Sequence, residues 1–235
     1  MHLAGYRLHA DRLPSRERYP FCLPALLHTP ELDLNHGVVL FVGENGSGKS
    51  TLLRALCRNA GIFIWGGFAD LSADEEAFLR AVELRWARGP MPGSFFSSET
   101  FFNFAQVADH DSAMHEFFGP RGFGAQSHGQ SLMAYFSARY RLPGLYFLDE
   151  PETALTPRGQ LDLLRLLQAM SRDGHAQFII ATHSPILLAC PGARLYGFDG
   201  PAIRPVAYRE TEHYRFYRDF MENPLPFLGP PRENG

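Results

Sequence analysis

Of the 22 lysine and arginine residues in this 235-residue chain, a single one is lysine: Lys49. It lies in Gly43-Glu44-Asn45-Gly46-Ser47-Gly48-Lys49-Ser50, which fits G-x-x-x-x-G-K-[ST] at every specified position. The octet follows Val38-Val39-Leu40-Phe41-Val42, a short apolar run of the kind that forms a buried central strand. A strand, a glycine-rich turn and a helix opening at about Lys49 would gather backbone N–H groups around an anion at the helix N-terminus. Inside so tight a loop a compact ammonium on a flexible stem can follow phosphate oxygens, while a planar guanidinium is too wide. The candidate phosphate cradle is therefore Gly43, Glu44, Asn45, Gly46, Ser47, Gly48, Lys49, Ser50 and Thr51.

Strands and helices alternate along the chain as in a three-layer α/β sandwich. After the glycine loop, Leu52, Leu53, Ala55 and Leu56 fall on the inward face of the first helix. Ser72-Ala73-Asp74-Glu75 reads as a capping box, and the pattern predicts a helix with Phe78, Val82 and Trp86 on one face until Gly89-Pro90. From Met91 to Gly124 the chain is rich in Phe, Gly and Ser. Residues 59–128 are accordingly expected to be a mostly helical lobe inserted in the main domain. Its aromatics would form a small core of their own or a surface for a partner.

The second half carries further polar groups at strand ends. Gly144-Leu145-Tyr146-Phe147-Leu148-Asp149-Glu150-Pro151 is an apolar strand ending in two carboxylates. Asp149 is placed to hold Mg²⁺ through water while the Ser50 hydroxyl ligates it directly. Glu150, one residue further, can polarise an attacking water. Gln177 to Ala181 is another buried strand, ending in Thr182-His183-Ser184-Pro185. That puts His183 on the sheet edge where open α/β sheets bind ligands, able to donate to a γ-phosphate. Gln126-Ser127-His128-Gly129-Gln130-Ser131 precedes a helical run from Leu132 to Tyr140, and a helix start of this kind binds anions. Thr156-Pro157 opens a helix through about Arg172, Arg194–Asp199 and Ala202–Tyr208 suggest a hairpin, and Thr211 caps a last helix.

Composition sets the outer bounds. A hydrophobic content of 45% with 20% charged residues is that of a soluble globular protein, and a net charge of −3 gives no support to wholesale nucleic-acid binding. Cys22, Cys57 and Cys190 form no C-x-x-C pair and read as reduced packing residues. With no secretion signal at the N-terminus and no apolar run long enough to span a bilayer, a cytoplasmic location is expected.

The ordered set of phosphate loop, Ser127-x-Gly129-Gln130 segment, Leu148-Asp149-Glu150-Pro151 strand and Thr182-His183-Ser184 resembles the ATP-binding-cassette superfamily of ATPases, over most of the chain. The resemblance implies a P-loop NTPase three-layer sandwich in a single cassette-type ATPase domain, with ATP and Mg²⁺ bound and ATP hydrolysed to ADP and phosphate. It also implies an ATP-dependent homodimer, in which Ser127 and Gly129 of one protomer close over the γ-phosphate held by the other. Lys49, Glu150 and His183 would serve catalysis. Among superfamily members the chain looks more like the stand-alone ATPases grouped with chromosome-maintenance, recombination-repair and overcoming-lysogenisation-defect proteins than like transporter subunits. The transporter signature Leu-Ser-Gly-Gly-Gln reads Gln126-Ser127-His128-Gly129-Gln130, and Thr156 stands where Ser-Ala-Leu-Asp has its aspartate. Gln106, with Asn103 behind it, is the candidate for the transporter-type glutamine loop, and Tyr19 or Phe21 for the adenine-stacking aromatic. The favoured expectation is an ATP-driven switch on a nucleic-acid or protein client. The nucleotide-binding subunit of a membrane transporter is the alternative, and a small-molecule kinase a weaker third.

Overall fold

The computed structural model describes residues 1–64, 71–98 and 128–228. Its elements in chain order are β1 (Leu3–Leu8), α1 (Pro24–Leu27), β2 (Glu31–Asp33), β3 (Val38–Val42), α2 (Lys49–Asn59), α3 (Ala73–Ala81), β4 (Val82–Trp86), β5 (Gly93–Ser97), α4 (His128–Arg139), β6 (Gly144–Asp149), α5 (Pro157–Met170), β7 (Ala176–Ala181), α6 (Pro185–Leu188), β8 (Arg194–Gly197), β9 (Arg204–Pro205), α7 (Glu212–Glu222) and α8 (Leu225–Leu228).

Six strands form the central sheet in the order β5-β6-β7-β3-β8-β9. All neighbours in it run parallel except β8 and β9, which form the expected short hairpin. Parallel strands are buried on both faces, which is why β3, β6 and β7 are apolar at nearly every position. Side chains alternate across the sheet with period two. Val39 and Phe41 pack toward α2 and a three-stranded antiparallel sheet of order β2-β1-β4. Val38, Leu40 and Val42 pack toward Leu132 and Phe136 of α4 and Leu163 and Leu167 of α5. The result is three layers. Gln177, fully buried in β7, ties two of them together: its Oε1 accepts from the His2 and Leu3 amides, and its Nε2 donates to the carbonyls of Leu3 and Leu34. A buried amide with every bond made costs little, whereas one left open costs about 1–3 kcal/mol.

The segment after α2 departs from the sequence reading. The Ser72 capping box forms as expected, with Ser72 and Glu75 exchanging side chain to backbone bonds. The helix stops at Ala81, however, and Val82-Glu83-Leu84-Arg85-Trp86 leaves as strand β4, paired with β1. Those five residues alternate apolar and polar, so their period is two, and a β-branched and an aromatic residue bound the run. β5 then joins β6 in the central sheet, and Phe95 and Phe96 are buried in the main cores. Thus the described part of 59–128 is not a separate helical lobe; it contributes one strand to each sheet. Phe101, Phe102, Phe104, Phe117, Phe118 and Phe123 lie outside the described residues.

The tail begins as expected, with Thr211 Oγ1 accepting from Tyr214 N to cap α7. Beyond the first turn, Phe216, Tyr217 and Met221 are exposed. Cys57 and Cys190 are buried free thiols, while Cys22 is free and exposed rather than a packing residue. No helix among the described residues is long and apolar enough to cross a membrane.

Candidate functional site

The C-terminal ends of β3, β6, β7 and β8 meet at one edge of the central sheet, where the candidate residues gather. Leaving β3, the chain turns through Gly46 (φ +79°) and Gly48 (φ +102°), a left-handed backbone that an L side chain strains to adopt. α2 then opens at Lys49. Lys49 is buried, and its ammonium donates to the carbonyls of Gly43 at 2.6 Å and Glu44 at 2.7 Å. Burial pushes its pKa down, against the opposing pull of Asp199, Glu150, Asp149 and Glu44. The Ser50 hydroxyl donates to Asp149 Oδ1 at 2.7 Å. Thr51 Oγ1 shares a 2.6 Å hydrogen bond with the hydroxyl of Tyr19, whose ring is exposed.

Asp149 ends β6 buried, and burial raises its pKa against the hydrogen bond from Ser50 and the charge of Arg54, whose Nη2 lies 3.4 Å away. Glu150 follows in a left-handed conformation (φ 47°, ψ 55°), uncommon for a residue with a side chain and frequent at functional sites. Its amide donates to the Ala181 carbonyl at 2.9 Å, so this turn is fastened to the end of β7, two residues before His183. His183 Nε2 lies 3.7 Å from Glu150 Oε1, and its backbone amide donates to Glu152 Oε1 at 2.7 Å. Burial, then the positive charge of Lys49, hold His183 below the usual imidazole pKa. Ser50, Arg54, Ser97, Ser98, Asp149, Glu150 and Thr153 line a cleft of about 310 Å³. A second of about 180 Å³ adjoins it between α2, α3 and Tyr19.

These groups fit a phosphate and a hard cation. A buried ammonium, a glycine loop with open space at Gly46 and a helix start suit an anion. Ser50 and Asp149 offer oxygen ligands only, as Mg²⁺ prefers when phosphate and water complete its shell.

The structure thus brings Lys49, Ser50, Asp149, Glu150 and His183 to one edge. Gly129 lies in the first turn of α4, beside the turn after Glu150, where a Cβ would meet Ala154 O at 3.4 Å. Ser127, Gln106 and Asn103 lie outside the described residues. Of the two aromatic candidates, Phe21 is buried in the core and Tyr19 is bonded to Thr51 in the first turn of α2. Sequence reasoning missed four groups. Asp199 accepts from the Glu44 amide at 2.6 Å and pins the phosphate loop to the end of β8. Arg54 pairs with Asp149, Glu152 holds the His183 main chain, and His213 reaches the His183 ring. Arg54 falls one helical turn after Ser50, a spacing that could have flagged it; the other three are joined only by tertiary structure.

Comparison with known proteins agrees with this geometry. Residues 120–189 match a family model described as "AAA domain, putative AbiEii toxin, Type IV TA system", and residues 25–83 match one described as "AAA domain". The chain is 31% identical over 194 residues to the cytochrome c biogenesis ATP-binding export protein CcmA of Rhodospirillum rubrum, covering 72% of this chain and 77% of that protein. It is 31% identical over 176 residues to the hemin import ATP-binding protein HmuV of Rhodopseudomonas palustris, covering 63% of this chain and 66% of the relative. Among solved structures, cbiO1 from Clostridium perfringens, part of the ABC transporter complex cbiONQ, superposes with a TM-score of 0.54 at 15% identity, covering 96% of this chain and 98% of that one. That likeness is one of fold. With the phosphate loop, the acidic strand end and the histidine on one sheet edge, and a relative this similar over three quarters of its length, the chain belongs to the ATP-binding-cassette superfamily of ATPases.

Proposed function

We propose that this ATPase works as a pair of protomers closed around ATP and serves as the nucleotide-binding subunit of a transport assembly, joined to a separate membrane subunit. The observation that carries this reading is the similarity to two ATP-binding proteins named for export and import, CcmA and HmuV. In the proposed site Lys49 holds the β- and γ-phosphates, exchanging its two backbone carbonyls for phosphate oxygens. Loop amides between Asn45 and Thr51 would surround the same oxygens, the Glu44 amide being taken by Asp199. Ser50 and Asp149 would hold Mg²⁺, which neutralises charge on the phosphates when bound. Glu150 orients and polarises the attacking water. His183 donates a hydrogen bond from Nε2 to the γ-phosphate. Ser127 and Gly129 of the second protomer complete the anion shell, so the site is finished only in the dimer. In-line attack needs mainly positioning and stabilised charge, both within reach of this set.

A second reading, an ATP-driven switch on a nucleic-acid or protein client, is favoured by a different observation. The toxin-type family model matches the segment that holds Asp149, Glu150 and His183, and the signature and Thr156 departures point the same way. Fractionation separates the two. Under the transport reading, tagged Glu150→Gln protein held with ATP and Mg²⁺ copurifies from detergent-solubilised membranes with a polytopic membrane protein. Recovery from the soluble fraction alone, with ATPase activity stimulated by DNA or RNA and lost as salt rises, would favour the switch.

A further inference from the structure

The last long helix reaches into the catalytic edge. Thr211, buried, caps α7 and fixes its first turn, which carries His213. His213 Nε2 lies 2.9 Å from His183 Nδ1, with the ring centroids 5.1 Å apart. The Glu152 contact holds only the His183 main chain, and the hydrogen bond that reaches the ring comes from His213. Two buried nitrogens of this group, His183 Nε2 and His213 Nδ1, have no hydrogen-bond partner among the described residues.

We infer that His213 is a positioning residue for hydrolysis: it donates its Nε2–H to His183 Nδ1 and so keeps the His183 proton on Nε2, the nitrogen that faces Glu150. A neutral imidazole has one donor nitrogen and one acceptor, so two histidines at this distance share one proton, and the direction of the bond sets both tautomers. Were His183 Nδ1 the donor, its bare Nε2 lone pair would face the Glu150 carboxylate at 3.7 Å, acceptor against acceptor, with nothing to offer a phosphate oxygen. With His213 as donor, His183 presents an N–H to both. Partners that fix the tautomer and plane of a functional histidine are worth roughly 10- to 100-fold where they have been removed from metal sites.

The inference rests on the reading of His183 given above, and the test separates the two. Steady-state ATP hydrolysis, binding of a fluorescent ATP analogue and thermal melting are compared for wild type, His183→Ala, His213→Leu, His213→Gln and the His183→Ala/His213→Leu double variant. We expect His213→Leu to lower kcat roughly tenfold or more, with analogue affinity and melting temperature unchanged. His213→Gln, which keeps an N–H donor, should recover most of the rate. The double variant should be no slower than His183→Ala, since His213 acts only through His183. A wild-type rate in His213→Leu, when His183→Ala is impaired, overturns the role of His213 and leaves the site reading standing. A wild-type rate in His183→Ala removes both. Losses that Gln does not rescue, or that add to those of His183→Ala, assign His213 a structural part and also overturn the inference. Long-range ¹H–¹⁵N imidazole spectra of the wild-type protein, with His183 assigned by its loss in His183→Ala, test it even if His213→Leu does not fold. The proton is expected on His183 Nε2, and a proton on Nδ1 sinks the idea.

Discussion

The two halves of the nucleotide site sit on adjoining strand ends yet are built on opposite terms. In the phosphate half the polar groups largely satisfy one another: Lys49 is bonded to two carbonyls of its own loop, Ser50 to Asp149, and the Glu44 amide to Asp199. Of this half, only Ser47 Oγ is a buried side-chain polar atom without a partner among the described residues. The acid–histidine half is less settled. Glu150 holds a left-handed backbone, and Glu152 Oε2, His183 Nε2 and His213 Nδ1 are buried and unpartnered among the described residues. Buried polar atoms without partners cost stability and cluster where a ligand or a reaction will use them. On the proposed reading the first half is a largely self-satisfied cradle for affinity, and the second, with its left-handed Glu150 and these unpartnered buried nitrogens, serves turnover.

The largest effect should come from the cradle. Lys49→Ala is expected to lose most nucleotide binding as well as hydrolysis. Lys49→Arg keeps the charge but cannot follow the loop, and losing a well-placed donor costs on the order of 3 kcal/mol, roughly a hundredfold in rate. Binding of a fluorescent ATP analogue and phosphate release measure the two losses. Near-wild-type activity in Lys49→Arg would break the argument from loop geometry.

The acid edge should separate binding from chemistry. Under the proposed mechanism Glu150→Gln removes the charge that polarises water and leaves the phosphate contacts, so kcat should fall roughly a hundredfold while ATP affinity holds. With hydrolysis stalled, the ATP-bound pair should accumulate, visible by size-exclusion chromatography in ATP and Mg²⁺. An equal loss of affinity and rate would merge the two halves into one.

A smaller effect asks whether the site is shared between protomers. Lys49→Ala and Ser127→Arg proteins should each be inactive, because both sites of either homodimer are damaged. When they are mixed, half of the randomly formed dimers are heterodimers, and half of the sites in those are intact. Activity should recover to about a quarter of wild type at most. No recovery at any mixing ratio, while ATP still drives dimerisation, would count against Ser127 as a shared residue.

The cradle was legible in the sequence because it is local: one strand, one turn and one helix start, all within the residues from Val38 to Thr51. Asp149, Glu150 and His183 were legible as strand ends, since apolar runs followed by polar residues show where a parallel sheet exposes its edge. Asp199 and His213 were not. The contact of Asp199 with the Glu44 amide depends on β8 pairing beside β3, and His213 meets His183 only because α7 folds back on the edge. The strand at Val82–Trp86 carried its own signal, an alternation of period two, which the capping box just before it obscured.

The smallest expected effect tests the cost of holding the cradle's one buried carboxylate without its cation. Burial raises the Asp149 pKa, and the Ser50 hydrogen bond and Arg54 charge only partly offset this. A group whose folded pKa lies above its unfolded value contributes fully to stability only below the unfolded value. That contribution is lost as pH rises through the folded one. Above the raised folded pKa the ionised Asp149 is therefore expected to cost the nucleotide-free protein stability, and Asp149→Asn, which cannot ionise, should melt at a higher temperature. In a chain of this size each ~1 kcal/mol shifts the melting temperature by roughly 2–4 °C, within reach of calorimetry. The gap should close as pH falls through the raised folded pKa toward the ordinary aspartate range, because wild-type Asp149 is then neutral as well. Adding ATP and Mg²⁺ at neutral pH should reverse the order, since ligand binding stabilises wild type while the variant lacks a proposed cation ligand. An Asp149→Asn protein that is less stable without nucleotide at neutral pH would mean that the pairing with Ser50 and Arg54 outweighs burial. The Ser50–Asp149 pair would then be as self-satisfied as the rest of the cradle even before ligand arrives.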